Sequence, residues 1–247
     1  MEIHLRLAYL VPVVTIVFAL AIVAVDARQT PVAPGAEVTQ SSALSTQKPD
    51  PRGSPADQRE RWNKEFSSGI PSLRNAQSSE FLAAVIKGLK PGTALDLGIG
   101  QGRNAIYLAA QGWDVTGVDI SDVAVEQARK NAQQKAVKVT TIVSDLDEYD
   151  FGANRWDLIT SFYMHSWHKN SKTDVPARIL RSLKPGGLLV MEAFRRPPNT
   201  NGLVVAELTS LFRNFRVVMN EEAVAKADWG SAEATELVRF VAEKPAK

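Results

Sequence analysis

The chain has 247 residues, 45% of them apolar and 23% charged, which suits one full-sized globular domain with additional sequence. A formal charge of +2 gives no reason to expect nucleic acid as a partner. The absence of cysteine excludes disulfides, thiolate metal sites and a cysteine nucleophile.

From Leu7 to Val25 ("LAYLVPVVTIVFALAIVAV") no residue is charged, and Arg6 precedes the run. It is long for a signal-peptide core and about long enough to span a bilayer. Small residues around Val25-Asp26-Ala27 also permit cleavage near Ala27. Residues 1–27 therefore read as a signal anchor or a signal peptide, in either case an apolar helix. Arg6 and Arg28 flank opposite ends, so charge does not set the orientation. Residues 28–55 contain Pro31, Pro34, Pro49, Pro51 and Pro55 and no aromatic residue, and read as a disordered linker. Residues 56–247 are left for the folded domain.

Within that domain, helices and strands alternate. A helical stretch lies around Arg59 to Phe66. Ser78 to Leu89 has helical spacing, with Phe81, Leu82, Val85, Ile86 and Leu89 on one face, and Lys90-Pro91-Gly92 ends it. "TALDL" (93–97) is a short apolar strand. A helix over 103–111 is closed by Gly112. "DVTGVDI" (114–120) is the next strand, and Ser121 caps a helix running to about Lys135. Strands follow at 138–145 and 156–162. A helix over 175–183 stops at Lys184-Pro185-Gly186-Gly187 and leads into the strand "LLVMEAF" (188–194). The pattern ends with a helix over 203–212 and strands at 215–220 and 236–244. The alternation predicts an α/β, Rossmann-like sheet of seven mostly parallel strands with helices on both faces. The last strand is expected to be antiparallel. Ligands of such sheets bind beyond the C-terminal strand ends, where the glycine turn after 93–97 should lie.

That turn, "LDLGIGQGRN", admits two readings. Gly100, Gly102 and Ala105 satisfy a dinucleotide pattern, and Asp119 stands about 20 residues on, where a ribose-binding acid belongs. This reading implies an NAD-dependent oxidoreductase. Asp96, ahead of Gly98, argues the other way, since a carboxylate repels a pyrophosphate and attracts an ammonium. A nucleoside that carries an amino acid and no phosphate suits an acid, bare glycine backbone and a second acid.

"LDLGIGQGRNAIYLAAQGWDVTGVDIS" resembles the first two motifs of the class I S-adenosylmethionine-dependent methyltransferases. Ser144-Asp145-Leu146 resembles their third, and "RSLKPGGLLVMEAF" the turn and strand that follow the fourth helix. More narrowly, "RWNKEF", "GRNAIYLA" and "DWG…LVRFVAEKP" are similar to the small-molecule methyltransferases related to tellurite-resistance proteins. Ile99 departs from the pattern, standing where the family often has cysteine or alanine.

The resemblance implies S-adenosyl-L-methionine as cofactor and a small-molecule methyl acceptor as partner; the small net charge speaks against nucleic acid, and no metal is expected, since His165 and His168 have no evident third ligand. Asp96 is expected to meet the methionine ammonium. Gly98, Gly100 and Gly102 would allow close approach, and Asp119 with Ile120 would hold the ribose. Asp145 and Leu146 would bind the adenine. Arg103 either orients the carboxylate end or is simply solvated.

The stretch "SFYMHSWHKN" (161–170) should face the transferred methyl. His165 and Tyr163 are candidate catalytic groups, His165 as a general base. Trp167, His168 and Arg195, with Arg196 beside it, are candidate substrate contacts. Two alternatives to methyl transfer stay open: the oxidoreductase, and an inactive cofactor-binding module that tethers. Because S-adenosylmethionine is made inside cells, the expected arrangement is a membrane anchor with the domain facing the cytoplasm. The alternative is export after cleavage near Ala27.

Overall fold

The computed structural model describes residues 50–69, 77–195, 203–228 and 234–246. The apolar segment 7–25, most of the expected linker and Arg196 lie outside the described residues.

The chain is already packed at Asp50, so residues 50–55, expected at the end of the linker, belong to the folded unit. Helix α1 (Pro55–Ser67) begins where proline at the first turn costs no hydrogen bond, and Ser54 and Asp57 cap each other reciprocally. Helix α2 (Glu80–Ile86) starts at the Ser79 cap and buries Phe81, Leu82 and Ile86. It is shorter than its periodicity suggests. The chain turns at Gly88, with φ of 81°, and Leu89 is left exposed.

Strand β1 (Thr93–Leu97) then leads through the glycine turn into α3 (Arg103–Ala110). Next come β2 (Asp114–Asp119), α4 (Asp122–Gln134), β3 (Val139–Val143) and β4 (Trp156–Phe162). Residues 165–170, expected as a loop, form a short helix, α5 (His165–Asn170). Helix α6 (Val175–Ser182), β5 (Leu183–Phe194), α7 (Val205–Leu211), β6 (Arg216–Lys226) and β7 (Ala234–Glu243) complete the chain.

The seven strands are ordered β3-β2-β1-β4-β5-β7-β6. The first five pair in parallel, and β7 is antiparallel to both neighbours. The expected antiparallel last strand is therefore present, inside the sheet, and β6 forms the edge.

Side-chain alternation along the strands supplies a core to each face. Leu95, Leu97, Val118, Ile159, Leu189, Met191 and Phe240 pack on one side. Ala94, Val115, Leu158, Val190 and Val241 pack on the other, under α2 and α3. The strand order reverses between β1 and β4, and the C-terminal ends of β1, β2 and β4 open there onto one cleft.

Candidate functional site

The cleft, counted with the open solvent at its mouth, takes up about 1160 Å³. Asp96, Gly98, Gly100, Asp119, Ile120, Asp145 and Leu146 all line it, so three separate strand ends converge as expected. Gly102 does not line it. It caps α3, and a side chain there would press on Ala128 of α4.

The glycine turn is built from left-handed backbone. Gly98, Gly100 and Gly102 have φ of 74°, 54° and 86°, a region that other residues enter only at a cost. A side chain at Gly98 would also collide with Met164. Ile99 points the other way, against Gly117 of β2, where an added methyl group would strike it. The departure at Ile99 is thus matched by the missing side chain at Gly117.

Asp96 is 3% exposed and accepts a 2.6 Å hydrogen bond from Thr160 Oγ1. Burial pushes its pKa up to about 7, against the Thr160 hydrogen bond and the nearby Arg103 charge. A cation arriving beside it would favour its ionised form. Asp119 accepts from the Gly100 and Ser121 backbone amides, each at 2.9 Å. Each of its oxygens keeps a second lone pair for a ligand hydroxyl. Burial raises its pKa, opposed by these amides. Asp145 Oδ1 accepts from the Asp147 amide at 2.9 Å, which fixes the loop after β3. Carboxylates beneath and beside a bare glycine backbone suit an ammonium and ribose hydroxyls, and oppose a pyrophosphate.

The residues expected on the acceptor side are less united. Tyr163 lines the cleft with its ring, over which the Arg103 guanidinium lies at 5.7 Å. Its backbone is left-handed, with φ of 60°. Its amide and its hydroxyl both donate to Glu192, at 2.7 and 3.0 Å, and the hydroxyl accepts from the Asp228 amide. Burial and the Glu192 charge raise its pKa far above neutrality, so the hydroxyl is a fixed strut and not a base.

Trp167 lines the cleft, with its indole nitrogen bound to Asp147. His165 is not among the lining residues, and its ring meets Phe194 edge-on. His168 also lies off the cleft. Its Nε2 shares a 2.9 Å hydrogen bond with Ser161, between Trp167 and Phe212. Burial, then the nearby His165, lowers its pKa to about 3, so it stays neutral. Arg195 pairs with Glu222 and Glu236 on the last two strands, away from the cleft.

Sequence reasoning missed the wall contributed from the N-terminal side. Arg52 and, on α1, Gln58, Arg61, Trp62 and Phe66 line the same cleft. Phe66 lies against Gly100. Trp62 and Phe66, four residues apart in "RWNKEF", share one helical face, which was the available signal.

Residues 94–187 match the family model described as a methyltransferase domain. Over these residues the chain carries a methyltransferase domain similar to those of the class I S-adenosylmethionine-dependent enzymes. An S-adenosyl-L-methionine-dependent Diels-Alderase of Talaromyces variabilis is 40% identical over 112 residues, 42% of this chain and 37% of that protein. The 1,6-didemethyltoxoflavin-N1-methyltransferase of Burkholderia thailandensis, solved with its namesake compound and S-adenosylhomocysteine, superposes with a TM-score of 0.57. It is 22% identical over 78% of this chain and 91% of that one. TehB from Haemophilus influenzae superposes with a TM-score of 0.56 at 18% identity, covering 74% of this chain and 67% of its own. At these identities the two structures establish the methyltransferase fold. The chain spans about half the length of the curated relatives it matches, or less.

Proposed function

We propose that the protein transfers a methyl group from S-adenosylmethionine to a small-molecule nucleophile and leaves S-adenosylhomocysteine. The observation that carries this reading is the convergence of Asp96, the bare glycine turn, Asp119 and Asp145 on one cleft inside a methyltransferase domain. Asp96 would hold the methionine ammonium, Asp119 and Ile120 the ribose, and Asp145 and Leu146 the adenine. The cofactor brings a methyl group on a positively charged sulfur, whose charge is lost in an in-line displacement. The protein must then align the two reactants and exclude water, with no strong acid needed.

The acceptor side sharpens the substrate class. Among the described residues lining the cleft, no histidine or lysine is present, and the Tyr163 hydroxyl is committed to Glu192. The described lining thus favours a nucleophile that needs no strong base at neutral pH, such as a thiolate, an acidic hydroxyl, an aromatic nitrogen or a chalcogenide. The Tyr163 ring, on the acceptor side, favours a flat apolar body around it. A small-molecule acceptor is also what the toxoflavin-precursor enzyme, which shares the fold, is solved with.

The Diels-Alderase relative supports a second reading, in which the cofactor is held while the cleft promotes another reaction, or none. Incubation with labelled S-adenosylmethionine and a panel of small acceptors separates the two. Label transfer to any acceptor supports methyl transfer. Tight binding without transfer supports the second reading. Calorimetry in which only NADH binds refutes both.

The location of the protein is also part of this proposal. The uncharged run Leu7–Val25 supports a membrane anchor, and intracellular supply of the cofactor supports a domain facing the cytoplasm. An anchored enzyme would add lipids and quinones to the acceptor panel. Digestion of the domain by protease added outside intact cells would contradict this orientation.

A further inference from the structure

Asp147 is a half-buried carboxylate outside the cofactor set. It stands in the loop after β3, two residues beyond Asp145. Its Oδ1 accepts from Trp167 Nε1 at 2.7 Å and Ser171 Oγ at 2.6 Å. Its Oδ2 accepts from Arg52 Nη2 at 3.0 Å and the Lys172 amide at 3.3 Å. Arg52 also donates to Asp50 and to the Asn170 carbonyl at 2.9 Å. One carboxylate thus ties together three segments distant in sequence: the arm before α1, the loop bearing Asp145 and Leu146, and the end of α5. Two of its partners, Arg52 and Trp167, themselves line the cleft.

The joint is well protected. The Arg52 and Asp147 side chains are 6% and 11% exposed. Burial opposes the charge on Asp147, but the hydrogen bonds from Ser171, Arg52 and Trp167 outweigh it and hold the carboxyl below the usual range. Such a pair differs from an exposed one, because removal of either partner leaves a desolvated charge.

The rest of the arm is held lightly. Only Gln58 and Phe66 of α1 are buried. Its other anchors are polar: Arg59 to the Ile120 carbonyl, Asn63 to Ser121 and Asp122, and Gln127 to the Phe66 carbonyl. Gln58 and Arg59 hold the first half of the helix and Asn63 and Phe66 the second, while Arg52 fastens the segment that leads into it.

We propose that Asp147 is a positioning residue that latches the 50–67 arm and Trp167 over the cofactor cleft, and that release of Arg52 from it sets how long the cofactor stays bound. This rests on the cofactor reading above. Arm and α1 form one wall of the cleft, so their release widens it.

The test uses the full chain with Arg52→Met, Asp147→Asn and the conservative Arg52→Lys. Two quantities are read: dissociation of labelled S-adenosylhomocysteine in a chase, and amide exchange across residues 55–67. Dissociation is expected to speed up about tenfold in Arg52→Met and Asp147→Asn, with Arg52→Lys in between. Exchange should rise in 55–67 and stay unchanged in β1 and β2. Arg52→Met carries the test where Asp147→Asn does not fold. Dissociation within twofold of the parent overturns the latch. If the parent itself does not bind S-adenosylhomocysteine, the cofactor reading fails. Exchange in 55–67 then decides alone: a rise in Arg52→Met supports the latch, and no change overturns it.

Discussion

One part of the cleft's lining comes from local runs around three strand ends: 96–100, 119–120 and 145–146. The other part is assembled from residues far apart in the chain, including Arg52, Trp62, Phe66, Tyr163 and Trp167. The first kind of site is written as short motifs, because each strand-to-helix turn sets its own backbone. The second depends on which segments happen to pack together. Methyltransferase folds of different specificity can therefore share the first part and differ in the second.

The largest effect expected in the local part is from Asp119→Ala. It removes a charged acceptor and frees the Gly100 and Ser121 amides, so cofactor affinity should fall about 10- to 100-fold, which calorimetry can check. An affinity unchanged within twofold would mean that the ribose lies elsewhere. A pH series probes Asp96 next. Its pKa stands at about 7 in the free protein, and a neighbouring ammonium requires the ionised form. Affinity should therefore weaken as pH falls through 7, by about tenfold per unit below it, with proton release on binding near neutral pH. A flat profile between pH 6 and 8 would separate Asp96 from the ammonium.

How much of this was legible follows the same division. That Asp96, Gly98, Gly100 and Asp119 lie together at the strand ends could be read from spacing, since strand, acid and turn are neighbours in sequence, while Asp145 was placed through the family resemblance. β1 and β4 were placed to the residue. Leu89 was misread because helical periodicity continues past the point where Gly88 turns the chain. The 161–170 stretch was chosen rightly as a region, but its side chains could not be sorted by type alone. His168 and Tyr163 are reactive residue types whose polar atoms Ser161 and Glu192 occupy; Glu192 sits on β5, and Ser161, though in the same stretch, reaches His168 only because the chain folds back through α5. Arg195 looked available until Glu222 and Glu236, on strands not yet paired in the sequence, came alongside. The 50–67 wall lay too far from the motifs to be attached to them.

Smaller effects sharpen the contrast. Gly117→Ala should destabilise the domain by about 1–3 kcal/mol in thermal or denaturant unfolding, because the new methyl meets Ile99. The double variant with Ile99→Ala should recover much of that loss, and no recovery would show that the two positions are not coupled. Tyr163→Phe should leave cofactor affinity unchanged and act on the acceptor step alone. A large loss of cofactor affinity would place Tyr163 in the wrong part. Arg195→Ala, the smallest, should change neither cofactor affinity nor acceptor turnover, since its charge is spent on two exposed glutamates.

The central claim is that this cleft holds S-adenosylmethionine, and calorimetry of the full chain with that compound, its demethylated product and NADH tests it most directly. The account predicts binding of the first two, weakened about 10- to 100-fold in Asp119→Ala, and none of the third. Binding of NADH with no response to S-adenosylmethionine would contradict it.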